Sequence, residues 1–284
     1  MVRGRRRRGG ILLVLGLAAC HGAGEPPPVA VPNDREELRR TLAEIADRRD
    51  MEASLARARI YARLRELEGT SPELLGRGDG ADLEVLSQPS PIEYKLESAA
   101  RLARNFRERG RRPELCRTAL EGPAAGALRR FVLFTAAAWY GEYVSRAEHA
   151  RALDGLSEAA QEISRLPELR AEARGAWDLR ARQYALRAED LRAADAPRSP
   201  SPEARAFCER DLARHLEEAA RTADQATRER ADRGDPERVL EGYLASLTHY
   251  VVVRECLWDA GSAQERRLDG MGLVARCVTD LLCR

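Results

Sequence analysis

The stretch Phe131-Val132-Leu133-Phe134-Thr135-Ala136-Ala137-Ala138-Trp139-Tyr140 carries the strongest indication of the fold. It is apolar on nearly every side, and helices of that kind usually occupy the centre of a bundle. The stretch is only half as long as a bilayer span, which takes about 20 residues. A second stretch of this kind covers residues 243–258. We therefore predict two central helices surrounded by amphipathic ones.

The rest of the chain is typical of an all-α protein. From Asp34 onward it is rich in Ala, Arg, Glu and Leu, which are strong helix formers, and poor in β-branched and aromatic residues. Apolar residues recur at helical spacing in three segments. The three stripes are Leu96, Ala99, Leu102, Ala103 and Phe106; Ala173, Trp177, Ala181, Tyr184, Ala188 and Leu191; and Cys208, Leu212, Leu216, Ala219 and Ala223. We predict an irregular multi-helix bundle of long amphipathic helices without strands.

Capping residues and prolines predict where the helices begin and end. Ser90-Pro91-Ile92-Glu93 combines a cap, a first-turn proline and a capping-box glutamate, and Ser71 and Ser201 begin similar patterns. Gly110 and Gly234 mark predicted helix ends. The predicted helices span 34–67, 91–109, 113–121, 123–150, 152–165, 167–194, 202–232, 236–259 and 263–282.

The predicted helices form two units. The first helix is expected to break within 48–51, and residues 68–90 are predicted to form a loop. A segment with three prolines, 194–202, separates an N-terminal bundle (34–195) from a C-terminal three-helix unit (196–284).

The N-terminus has the order of an export signal. Arg3 and the four arginines at 5–8 precede an apolar region, 11–19, that is too short to span a bilayer. Residues 1–19 are therefore predicted to be a signal peptide. Residues 20–33 follow as a tether that is rich in proline and glycine, and proline stiffens such a segment towards an extended form.

Leu17-Ala18-Ala19-Cys20 resembles the lipobox of bacterial lipoproteins. The resemblance implies cleavage before Cys20, acylation of that cysteine with fatty acids such as palmitate, and a mature chain held on the membrane by lipid. His21 stands where an aspartate would resemble the inner-membrane retention signal, so we expect the outer membrane more than the inner one, with the domain facing the periplasm. Export by the Sec or the twin-arginine route is compatible with these residues. No family is recognised for the mature domain.

Composition argues against a nucleic-acid partner. Loss of the five signal arginines changes the formal net charge from +2 to −3, and basic and acidic residues are interspersed along the rest of the chain. Binding to phosphates needs clustered positive charge. We predict no nucleic-acid partner.

The cysteines fit an oxidising compartment. With Cys20 acylated, the disulfide candidates are Cys116, Cys208, Cys256, Cys277 and Cys283, an odd number that allows at most two bridges. A turn at 233–235 would fold helix 202–232 back on the next one and bring Cys208 within about one helical turn, roughly 6 Å, of Cys256. Cys116 would then compete with Cys277 and Cys283 for a second bridge. The alternative is that all five are buried free thiols.

Candidate ligand-binding residues are few. His215 shares a helix face with Asp211 and Glu218, which could hold a divalent cation or form a solvated face. His249 is expected in the core. The segment 76–82 is predicted to be a flexible loop with two carboxylates, short of the oxygen ligands that calcium needs.

No residue pattern indicates catalysis. The chain has no GxSxG elbow, no SxxK and no metal motif such as HExxH, so we assign no catalytic residue, metal or cofactor. Our leading hypothesis is a membrane-anchored, non-catalytic accessory or protein-interaction domain with an envelope protein as partner. The alternatives are a ligand- or metal-binding lipoprotein with a pocket between helices and a cell-envelope enzyme.

Overall fold

The computed structural model describes residues 29–116, 122–142, 144–167, 169, 171–193, 202–235, 238–239, 242 and 245–246. Within them it contains helices and no strand, so the predicted all-α multi-helix bundle is confirmed. The α-helices are α1 (Arg35–Glu44), α2 (Met51–Glu68), α3 (Pro72–Ser87), α4 (Ile92–Arg111), α5 (Pro123–Gly141), α6 (Arg146–Ser164), α7 (Ala171–Ala193) and α8 (Pro202–Ala231), and a short 3-10 helix spans Pro113–Leu115.

Side-chain caps begin several of these helices. Asp34, Asp50, Ser71 and Ser145 each accept a hydrogen bond from a backbone amide in the first turn of the following helix, which satisfies a group that the helix leaves unpaired. The predicted cap at Ser90 is wrong. Its hydroxyl instead donates to the carbonyl of Val85, 2.9 Å away, and α4 begins without a side-chain cap.

Two predicted boundaries need correction, and one break is confirmed. Residues 45–50 separate α1 from α2, as expected near 48–51. The predicted helix 123–150 is two helices, because the chain turns after Gly141 and Ser145 caps α6. The predicted loop 68–90 is wrong, since α3 occupies most of it.

Helix α3 forms in spite of three glycines, each of which weakens a helix by about 1 kcal/mol relative to alanine. Leu75, Val85 and Leu86 lie fully or almost fully buried on one side of α3. Gly78 faces α2, where an added Cβ would lie 3.5 Å from the Cβ of Tyr61. Tertiary packing therefore offsets the poor helix propensity of this segment.

Successive helices from α2 to α7 pack side by side and antiparallel. Arg57 near the start of α2 pairs with Glu84 near the end of α3 over 2.8 Å. Ring centroids of Phe106 in α4 and Tyr140 at the end of α5 are 5.9 Å apart. Ser157 of α6 donates a hydrogen bond of 2.8 Å to a backbone carbonyl of α7.

The core has two parts. The main cluster draws on α3 to α7, with the predicted central stretch of α5 at its middle and Phe131 edge-on to the Trp177 ring at 4.9 Å. The stripes predicted on α4 and α7 line this cluster. A smaller cluster lies under α1, and Val29 and Val31 pack against it. The chain leading towards Cys20 is therefore fixed to the bundle from residue 29 onward.

The predicted turn at 233–235 is present. Arg233 takes the left-handed conformation with φ 53°, and the amide of Gly234 donates to the carbonyl of Glu229 over 2.8 Å. An added Cβ on Gly242 would lie 2.9 Å from the Cβ of Ala226, so residues equally far from the turn face each other. No helix among the described residues combines the length and apolarity that a bilayer crossing requires.

Candidate functional site

Most of the residues singled out in the sequence lie outside the part of the chain that the structure describes. These are Cys20, Cys256, Cys277, Cys283 and His249, together with the side chains of Cys208, Asp211 and His215. Cys116 follows the 3-10 helix and lies in the main core cluster. His149 and Trp139 are also buried there, and among the described residues no group of three metal-ligating side chains occurs.

The two carboxylates of the segment that was predicted as a loop, 76–82, lie in helix α3 and form ion pairs with helix α4. Asp79 and Asp82 lie three residues apart in α3, on its buried face, at 4 % and 1 % exposure. They meet Arg101, Asn105 and Arg109, which are spaced by four residues on one face of α4. The two helices run antiparallel, so the two rows face each other in order.

Each acid in this row is held by α4. The guanidinium of Arg101 donates to Asp82 through Nη2 at 2.7 Å and through Nε at 3.0 Å. Asp79 accepts from the amide of Asn105 at 2.7 Å and forms an ion pair with Arg109. Because both partners are buried, removal of one would leave an uncompensated charge.

Burial shifts the pKa of Asp82 strongly. Loss of hydration raises the pKa of this carboxyl to about 6, although Arg101 opposes the shift. Glu97 lies at the half-exposed edge of the network, and its pKa is shifted in the opposite direction. Hydrogen bonds from Arg59 and Arg101 lower the pKa of Glu97 to about 2. Asp82 is enclosed by α3 and α4, so its role is to join the two helices.

A polar groove of about 510 Å³ lies between α2 and α4, on the outer side of this network. Five arginines and two glutamates contribute to its wall, which gives it a formal charge of +3, whereas residues 20–284 together carry a formal charge of −3. The arginines are Arg65, Arg101, Arg104, Arg107 and Arg111.

Arg104, Arg107 and Arg111 form a row along α4, which we call the arginine strip. Their spacing of three and four residues places them on one face, with about 10 Å between the first and the last. Arg107 pairs with Glu148 of α6 at 2.9 Å. Burial lowers the pKa of Arg107, and the positive charges of Arg151, Arg111 and Arg104 act in the same direction.

The groove lies at the end of the bundle where the chain arrives from the tether. Its α2 wall includes Glu66 and Thr70, on either side of Glu68. Glu68 binds Arg35 at 2.7 Å and Arg39 at 2.9 Å, and both arginines belong to α1. The first turns of α1 and the groove are therefore neighbours.

The sequence contained part of this signal. The strip is visible as an i, i+3, i+7 pattern of arginines within the predicted helix 91–109 and its end. This arginine pattern did not stand out in the sequence, because arginine is abundant throughout the chain. The α2 wall could not be predicted, because the loop assigned to 68–90 gave no reason to pack α2 against α4.

Comparison of the chain with protein-family models, curated proteins and solved structures finds no match.

Proposed function

We propose that this protein is a lipid-anchored, non-catalytic helical module of the bacterial cell envelope, which faces the periplasm and acts on an envelope protein partner. Acylated Cys20 is the anchor in this proposal, and the outer membrane is the expected site. The lipobox and the signal order in residues 1–20 are the sequence basis.

One structural observation carries the proposal further. The residues that follow the tether are clamped onto the bundle, by Val29 and Val31 in the small core cluster and by the ion pairs of Arg35 and Arg39 with Glu68. These contacts fix the point at which the N-terminal segment joins the bundle, which supports a module held near the membrane by one defined end.

A disulfide at Cys116 belongs to the same proposal, since the periplasm permits such bonds. Its support is that Cys116 is 5 % exposed and lies in the main core cluster, and that four further cysteines follow it in the chain. A non-reduced digest should link the Cys116 peptide to that of Cys208, Cys256, Cys277 or Cys283. Free Cys116 in protein isolated without reductant would contradict the bridge.

Partner capture tests the proposed role. Mild crosslinking in native membranes, followed by mass spectrometry, should enrich one envelope protein with the lipidated chain. The Cys20→Ser chain is the control, and it should leave the membrane fraction and lose that enrichment. The purified mature chain with Cys20→Ser should bind the same protein in isolation.

Two results would contradict the proposal. One is the absence of any enriched partner when the lipidated chain is abundant in the membrane. The other is turnover of a cell-wall substrate that a single side-chain substitution abolishes, because this would make the protein an enzyme.

A further inference from the structure

We propose that the groove between α2 and α4 binds the phosphate headgroups of anionic phospholipids, so that the bundle contacts through its arginine strip the membrane to which Cys20 anchors it. This inference deepens the proposed function and rests on it for the location of the chain. It assigns to the groove a ligand class, and it gives the bundle a defined side facing the lipid.

The charge of the groove is the first argument. Its wall carries five arginines against two glutamates, while the mature chain as a whole is slightly acidic. The glutamates are already engaged, because Glu108 binds Arg65 at 2.7 Å and Arg112 at 3.1 Å, and Glu66 binds Arg63. Arg101 and Arg107 are also paired, with Asp82 at 2.7 Å and with Glu148 at 2.9 Å. The positive charge left to face a ligand in the groove is therefore that of Arg104 and Arg111.

The second argument concerns the two ends of the strip. Arg104 and Arg111 are exposed, and neither has an ion-pair partner in the described part of the chain. The other arginines of α2 and α4 themselves are paired, for example Arg59 with Glu97 at 2.6 Å. Guanidinium groups bind phosphate oxygens through two parallel hydrogen bonds, which makes phosphate a suitable ligand for both.

Location is the third argument. The groove adjoins the first turns of α1, and residue 29 is already packed on the bundle. Eight residues, 21–28, separate residue 29 from Cys20, so residue 29 lies at most about 30 Å from the anchor. Because electrostatic attraction to a surface decays within about 8 Å at physiological salt, a tether of this length lets the bundle reach the headgroups.

The size of the groove also fits this ligand. A volume of about 510 Å³ lies within the range of small-molecule sites, roughly 300–1,000 Å³. The row of about 10 Å between Arg104 and Arg111 is long enough to meet more than one headgroup. Contacts of this type add to a lipid anchor and orient the bundle on it.

Vesicle flotation tests the inference. The mature chain with Cys20→Ser is mixed with phosphatidylcholine vesicles, either pure or containing phosphatidylglycerol. We expect binding only to the vesicles with phosphatidylglycerol and its loss at high salt. Each basic residue near an anionic surface contributes about fivefold to binding, so Arg104→Gln with Arg111→Gln should lower the partition coefficient about 25-fold.

A matched control removes the same charge elsewhere. Arg49 and Arg165 are exposed and lack an ion-pair partner among the described residues. Arg49 precedes α2 and lies about 20 Å along that helix from Arg65. Arg49→Gln with Arg165→Gln should bind the vesicles as the parent chain does. Thermal melts of both double variants should match the parent, since all four side chains are exposed.

Several outcomes would overturn the inference. These are equal loss of binding in the groove and control variants, equal binding to both vesicle types, and binding of inorganic phosphate to the groove without binding of either vesicle type, which would identify a soluble anion as the ligand. Binding of the strip to an acidic peptide but not to vesicles would identify a protein ligand instead.

The failure of the anchor and the failure of the headgroup site are distinguishable. The vesicle experiment uses a chain without acylated Cys20, so it reports on the groove alone. Incorporation of a labelled fatty acid at Cys20 in cells reports on the anchor alone. If the label is incorporated at Cys20 and the chain does not bind the vesicles, the headgroup site is contradicted and the lipid anchor is supported.

Discussion

Phe134 shows how single residues set the spacing of the bundle. Its ring lies between Gly110 of α4 and Gly155 of α6, and an added Cβ on either glycine would fall within 3 Å of the ring. Neither position requires an unusual backbone angle, so close packing is the reason for glycine at both. The bulky ring of α5 can lie between its neighbours only because they lack side chains there.

We therefore predict that Gly155→Ala destabilises the protein. The added methyl group overpacks the core against Phe134, which typically costs about 1–3 kcal/mol. Urea unfolding of the mature chain measures the change. Gly175→Ala is the control, because no atom lies within 4 Å of its added Cβ in α7. It should stabilise the protein by up to about 1 kcal/mol through helix propensity, and a destabilisation equal to that of Gly155→Ala would contradict the account.

Asp82 gives stability an unusual dependence on pH. Burial raises the pKa of Asp82 from an ordinary 3.8 to about 6, so the folded chain retains a proton that the unfolded chain has released. Between these values the unfolded state binds fewer protons, and the contribution of Asp82 to the free energy of unfolding falls as the pH rises. The pKa of Glu97 is lowered to about 2, so its effect has the opposite sign. Its contribution to the free energy of unfolding is lost as the pH falls below about 4.

The prediction concerns Asp82→Asn, which removes the titrating group and keeps its shape. Relative to the parent, the free energy of unfolding of this variant should rise by about 2 to 2.5 kcal/mol between pH 4 and pH 7, because a shift of one pKa unit corresponds to about 1.4 kcal/mol and the unfolded Asp82 is already half ionised at pH 4. Urea titrations of both chains at the two pH values measure it. A difference that stays constant, or falls, would show that the pKa of Asp82 is not raised in the folded chain.

At the scale of elements, α3 shows where reasoning from sequence stops. The capping pattern at Ser71 and Pro72 was noted in the sequence and is present, but the glycines at 76, 78 and 80 led to a predicted loop instead of a helix. What overrides their propensity is the row of Asp79 and Asp82 against the arginines of α4. The two rows are 19 residues or more apart in the chain, so their pairing depends on a register that local patterns do not encode.

This pairing predicts a specific pattern of double-mutant energies. Asp79→Leu or Arg109→Met alone leaves a buried charge without its ion-pair partner and should destabilise by roughly 3–5 kcal/mol. The double variant removes both charges and fills the space with apolar groups. It should be more stable than either single variant, as measured by urea unfolding. Additive destabilisation would mean that the two side chains do not interact.

Helix α4 combines three faces in 20 residues. Its apolar stripe, which was predicted, packs on α5, since Phe106 stacks on Tyr140. Its buried polar row holds α3, and its arginine strip lines the groove. Periodicity could identify the first face from hydrophobicity alone. The other two both consist of arginines, and only the positions of α2 and α3 decide which of these are neutralised by acids.

At the scale of the whole molecule, composition and periodicity were sufficient for the fold class but not for helix pairing. The central position of α5 follows from a stretch that is apolar all round. The antiparallel order of α2 to α7 and the separate small core under α1 depend on contacts between distant segments. The groove is a consequence of that pairing, which is why no distinct role could be predicted for its arginines from sequence alone.

The most direct test is the mass of the N-terminus of the protein extracted from native membranes. The account predicts a chain that begins at Cys20, lacks residues 1–19 and carries fatty acyl groups on that cysteine, and it predicts that Cys20→Ser abolishes the acyl mass. A mature chain that begins at another residue, or an unmodified Cys20 in protein recovered from the membrane, would contradict it.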